Sequence, residues 1–296
     1  MTRMAACPFR PRLRIGAKPA TSRALAAMAM SVALSASGGG EASGDEAFVV
    51  VHTAEFGGSS DQKWLEYPDA EPIECRALER STDADGVDFA TSRGPWWIDT
   101  NHAPPGLGYL HLIAFAYHHD WSADGLIPDA STGSRPLDLR DAEVTVRWRA
   151  PALRMSADAT LTLWFQTRTS PVDAVAPRFV KYLLTSQSLP VRPPPSQWRE
   201  DTLRLSAVDG DYACLGGNAD RANVYGCDVP AVAALRDWNT DLGLVIFFRD
   251  ASSASEITGA IDLDRSTIRV PQDNLATHRL AAPSIVSAGG STCRST

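Results

Sequence analysis

Beyond the first 46 residues the chain has no run approaching the roughly 20 apolar residues that a membrane-spanning helix needs, and so none there is expected to cross a bilayer. It has no excess of basic charge either: Lys and Arg number 28 against 35 Asp and Glu, a net charge of −7. That balance speaks against nucleic acid or an anionic membrane as partner, since both attract a basic surface. Helical periodicity is scarce. There is no Gly-x-Ser-x-Gly elbow, no Gly-x-x-x-x-Gly-Lys phosphate loop, no His-Glu-x-x-His and no dinucleotide fingerprint after a strand, which leaves ordinary nucleophilic hydrolysis without a visible carrier. Cysteine is sparse, at five residues in 296.

What is present begins with a leader-like segment. Residues 1–46 open with basic, acid-free sequence, pass through an apolar run from Ala24 to Leu34, reach small residues around Ser35 to Ser37, and leave through a Gly-rich exit. This is the layout of an export signal with an extended basic region. It sets the expectation of a secreted or periplasmic protein. With Cys7 in that leader, four cysteines remain. Cys214 and Cys227 bracket CLGGNADRANVYGC, a polar loop with little to bury, where a disulfide would remove chain entropy. The pairing of Cys75 and Cys293 stays open.

The body alternates with period two. In AEVTVRWRA, Val144, Val146 and Trp148 fall on one face; Glu143, Thr145, Arg147 and Arg149 fall on the other. In ATLTLWFQTR, Leu161, Leu163 and Phe165 oppose Thr160, Thr162, Trp164, Gln166 and Arg168. AFVVVHTAEF, YLHLIAFAYHH, RFVKYLLTSQ, DTLRLS, DLGLVIFFR and GAIDLDRSTIRV are further strands, separated by Pro, Gly, Asp and Ser clusters. Only Val229 to Trp238 reads as a short helix. The pattern specifies an all-β chain: a two-sheet antiparallel β-sandwich of jelly-roll type over residues 47–271, followed by a flexible tail over 272–296.

The closing order, a cysteine-bracketed loop, a short helix, LGLVIFFR and then GAIDLDRSTIRV, resembles the C-terminal half of lectin-like jelly rolls of the concanavalin A and carbohydrate-binding-module type. Many of those end in Gly-x-Ile-Asp-x-Asp-x-x-x-Ile. The resemblance implies a glycan-binding fold, and it makes Asp262 and Asp264 candidates for a structural calcium, which two acids on one strand face would suit.

The segment GPWWIDTNHAPPGLGYLHLIAFAYHHDW, Gly94 to Trp121, gathers three of the eight tryptophans and four of the six histidines. Strand geometry opposes a shared metal. His111 and His118 point to opposite faces, and His111 and His119 would stand about 26 Å apart at about 3.3 Å per residue. The composition fits sugar recognition better, with rings for C–H faces and short polar groups for hydroxyls. The candidate ligand set is Trp96, Trp97, Asp99, Asn101, His102, Tyr109 and His111, joined by Trp164, Gln166 and Arg168 if the two strands share a concave face that Lys181 and Gln187 extend. No cofactor is called for beyond the possible calcium. Three classes remain: a non-catalytic carbohydrate-binding domain; a carbohydrate-active enzyme; and a structural or adhesive exported domain. Within the second, a polysaccharide lyase would use Tyr109, His111, Gln166 and Arg168, whereas a glycoside hydrolase needs a carboxylate pair that the face strands lack. Ligand identity and oligomeric state are not legible.

Overall fold

The computed structural model describes residues 47–56, 64–67, 76–99, 110–118, 137–170, 178–216 and 225–275. Residues 1–46, the expected leader, lie outside them, and Ala47–Thr296 forms a unit of its own. In chain order the strands are β1 (Phe48–Glu55), β2 (Trp64–Glu66), β3 (Arg76–Ala77), β4 (Glu79–Thr82), β5 (Asp88–Arg93), β6 (Ile98–Asp99), β7 (Leu110–His118), β8 (Ala142–Arg149), β9 (Thr160–Arg168), β10 (Phe179–Leu184), β11 (Arg199–Leu205), β12 (Tyr212–Cys214), β13 (Tyr225–Gly226), β14 (Trp238–Phe248) and β15 (Ala260–Pro271). The expected helix over 229–238 shrinks to one turn, α1 (Ala231–Ala234), because Trp238 already opens β14.

The strands form two packed sheets, and the chain is a β-sandwich. The smaller sheet runs β11-β8-β15. On the far edge of β15, its first half holds β5 and then β4, and its second half holds β1. The larger sheet runs β12-β10-β9-β14-β7-β2-β3, with β6 also on β7. Pairing is antiparallel throughout except between β10 and β13. The Cys214–Cys227 disulfide forms, joining the ends of the two short strands that share the edge of β10 opposite β9.

Burial follows the alternation where one face meets the other sheet. Along β8, Ala142, Val144, Val146 and Trp148 are buried, and the alternate residues Glu143, Thr145, Arg147 and Arg149 are partly exposed. Leu242, Leu244, Ile246 and Phe248 of β14 supply the facing layer from the larger sheet. The outer face of the smaller sheet is a cross-strand ladder instead. Thr202, Thr145, Thr267 and Thr53 stand in one register row across β11, β8, β15 and β1. Beside that row Arg265 pairs with Glu200, and Arg269 with Glu143.

The same ladder engages Asp262 and Asp264, the two acids of the calcium expectation. Asp262 accepts hydrogen bonds from Arg149 Nε (2.9 Å) and Thr91 Oγ1 (2.7 Å), and Asp264 is bound by Arg147. Each acid thus has a guanidinium partner in this structure. Gln272 and Asn274, which the sequence placed in the tail, are tied to the rest of the domain. The N–H of Gln272 donates to the carbonyl of Ala47 (2.7 Å), and Asn274 Nδ2 reaches the carbonyls of Asp138 and Arg140.

Loop closure at one end depends on Asp158. Its carboxylate accepts from Ser156 Oγ (2.8 Å) and from the backbone N–H groups of Arg249 and Asp250. Those donors, Ser156 first, hold its pKa at about 2, below the ordinary 3.8. A lowered folded-state value stabilises the fold above the unfolded pKa and loses that effect as pH falls through the folded one. The Asp158→Asn variant is therefore expected to be less stable than the parent at neutral pH, with the gap closing between about pH 4 and pH 2. Urea midpoints measured across that range test it; a constant gap would contradict the assignment.

Candidate functional site

The outer face of the larger sheet is where the sequence placed its ligand surface, and the register shows how the side chains assemble there. β14 lies between β7 and β9, so the two expected neighbours are separated by one strand. Gln166 on β9 is opposite Lys181 on β10 and Asp241 on β14; Trp164 is opposite Leu183 and Gly243. A register shift between Asn239 and Asp241 interrupts the β14–β9 ladder. Such bulges re-aim side chains, and here Thr240 and Asp241 both turn towards Gln166.

The result is a compact polar group. Gln166 Nε2 donates to Asp241 Oδ2 (2.8 Å) and Thr240 Oγ1 (3.2 Å), and Thr240 Oγ1 also lies 3.0 Å from Asp241 Oδ2. Thr240, Asp241 and Lys181 are buried, whereas Gln166 is half-buried and gives the group its contact with solvent. The Gln166 amide nitrogen is thus engaged within the group, and Oε1 is the side chain's acceptor atom. The Lys181 ammonium stands 5.4 Å from the centre of the Trp164 ring, a cation–π stack that lets a charged group sit in a buried position. Arg168 completes the row, its Nε donating to the carbonyl (3.1 Å) and Oγ (3.2 Å) of Ser170.

The rest of that face is not the open platform expected. Trp164 is only 2% exposed; its indole N–H donates to the carbonyl of Phe115 (3.2 Å), and its ring packs among Ile113, Leu183, Leu215 and Val245. The tight seat exists because Gly243 beneath it has no side chain. His111 is 0% exposed, which corrects its expected role as a ligand contact or proton carrier: a sealed imidazole meets neither sugar nor solvent. Trp96 is a core residue, its Nε1 bonded to Ser92 Oγ (2.7 Å). Trp97 does stay half-buried, its ring 6.4 Å from that of Tyr67, which packs against the same outer-face cluster.

Asp99 lies in β6 opposite His111, whereas Asn101, His102 and Tyr109 lie outside the described residues. Gln187 is not on this face. Its side chain hydrogen-bonds the backbone of Arg204 (3.0 and 3.2 Å), and its carbonyl accepts from Thr162, tying the two sheets together.

Of the expected set, then, the structure gathers Trp164, Gln166, Arg168 and Lys181. It adds Asp241 and Thr240, which sequence reasoning missed. The only available signal was an acid heading the apolar run DLGLVIFFR. Among the described residues Asp241 is the one acid in this polar group, so the two-carboxylate geometry of a glycoside hydrolase is not formed by them. No group of three or more His, Cys, Asp and Glu that could hold a metal occurs among the described residues. No described helix is long and apolar enough to cross a membrane.

No family model matches the chain, and no curated protein matches it in sequence. Among solved structures the chain is similar to a xylan-binding module, CBM15, at 11% identity, over 77% of this chain and 98% of that one, with a TM-score of 0.31.

Proposed function

We propose that this chain is an exported carbohydrate-binding domain whose ligand docks at the Gln166 end of the larger sheet's outer face. The observation that carries the reading is the Gln166–Thr240–Asp241 group. Two buried oxygens, Asp241 Oδ2 and Thr240 Oγ1, accept from the Gln166 amide nitrogen and fix the side chain, and in this reading its Oε1 takes a sugar hydroxyl. Lys181, stacked on Trp164, and Arg168 are buried behind Gln166 and bear on the site by their charge, without direct contact. The half-buried Trp97 and Tyr67 offer a ring pair of the kind that covers a sugar's C–H face. The Cys214–Cys227 disulfide and the leader sequence support export.

The test is the Gln166→Leu variant in affinity electrophoresis against a panel of polysaccharides. Removing Oε1 is expected to weaken retention roughly tenfold, with a stability loss of about 1 kcal/mol from the donors that Asp241 forfeits. A well-folded variant retained as strongly as the parent would refute the reading. So would an intact protein that binds no glycan in the panel. Release of unsaturated products from a polyuronate would instead make the domain a lyase.

A further inference from the structure

The segment from Pro190 to Arg199 walls an open groove of about 370 Å³ along the edge of the smaller sheet. That volume lies within the range of small-molecule sites. The segment is pinned at four points. Val191 is buried, Arg192 Nη2 donates to the carbonyls of Ser156 and Ala159 (3.2 Å to the latter), the Pro195 carbonyl accepts from Ala150 N–H (2.8 Å), and Trp198 Nε1 donates to Asp83 (2.8 Å). The indole is further clamped by the Arg149 guanidinium 4.3 Å from its centre and by the Phe89 ring edge-on at 5.6 Å. The Trp198 N–H bond is also the main reason that the Asp83 carboxyl titrates below its ordinary range. Three consecutive prolines, Pro193 to Pro195, remove most of the remaining backbone freedom. The groove is therefore rigid before any ligand arrives.

Its chemistry is that of a ring and one uncompensated cation. Arg199 is neutralised by a two-pronged contact with Asp201, both distances 2.6 Å. Arg192 is exposed and bonds only carbonyl oxygens; no carboxylate pairs with it among the described residues. Gln197 is exposed, and its side chain makes no hydrogen bond to the described residues. We propose that this groove is a second glycan-binding site, separate from the Gln166 site, that takes an acidic sugar: pyranose C–H groups against Trp198 and the prolines, the carboxylate on Arg192, and a hydroxyl on Gln197.

The experiment uses the full chain carrying Gln166→Leu, titrated calorimetrically with galacturonate, glucuronate and mannuronate oligosaccharides and with their methyl esters. Residual binding to at least one acidic oligosaccharide is expected. It should weaken roughly tenfold on esterification and by a similar factor in Arg192→Gln, because a charge-assisted bond is lost in each case. Gln197→Ala, which touches none of the pinning contacts, should also weaken it. Absence of residual binding, or residual binding indifferent to Arg192→Gln and Gln197→Ala, would overturn the second site. Equal binding by the parent and Gln166→Leu together with loss in Arg192→Gln would keep the groove and remove the Gln166 site.

Discussion

Replacing Trp148 with alanine is expected to lower the unfolding free energy by about 4 kcal/mol, the scale for deleting a large buried ring. Trp148 is fully buried and lies between Arg199 of β11 and Leu263 of β15 in register, at the middle of the smaller sheet. Two losses combine. The inter-sheet core gains a cavity that neighbouring strands cannot close without breaking their ladders, and Asp201 loses the indole N–H that donates to Oδ2 at 2.7 Å. Arg199 still holds that carboxylate, so the charge does not become isolated. Trp148→Phe keeps most of the ring volume and deletes the hydrogen bond, and should cost about half as much. Urea unfolding with an unchanged m-value measures both. A loss under about 1 kcal/mol for the alanine variant would show that the sheets are not packed through this residue.

The second large effect is expected at Gly243. A methyl group there would stand 2.0 Å from the carbonyl oxygen of Phe115 and 2.9 Å from Trp164 Nε1. The first obstacle is backbone of the neighbouring strand, so no rotamer change relieves it. Gly243→Ala should destabilise by about 3 kcal/mol or more. Because Trp164 carries the Lys181 stack, the substitution should also depress glycan retention even below the melting range. Gly210→Ala is the matched control, since a methyl group at Gly210 meets nothing within 4 Å. Equal melting temperatures for the two variants would contradict the close approach of β14, β7 and the Trp164 ring.

Both sites depend on polar groups held by partners distant in sequence, and this explains how far each could be read from the chain. The β9 strand shows the limit. Its alternation separates Leu161, Leu163 and Phe165 from Thr162, Trp164 and Arg168, and the two sets do lie on opposite faces, yet both sets are buried. Alternation reports which face a side chain takes, not what covers that face. The same limit applies to β5, whose Asp88–Arg93 sequence carries few large apolar residues and becomes a strand through pairing with β15 and β4. The groove was not legible at all. Its pinning contacts join Trp198 to Asp83 and Arg192 to Ser156 across 115 and 36 residues of chain.

The sequence by itself determined that the chain is built of strands, which residues alternate across each of the longer ones, and that Cys214 and Cys227 can bridge a polar loop. These are local consequences of the backbone pleat and of short-range loop entropy. Only the tertiary structure decided that β14 would separate β7 from β9, that a bulge would bring Thr240 and Asp241 to Gln166, and that Arg149 and Arg147 would claim Asp262 and Asp264. Those outcomes depend on which strands pair and in what register, and pairing energy comes from contacts between segments 70 or more residues apart, which no local pattern encodes.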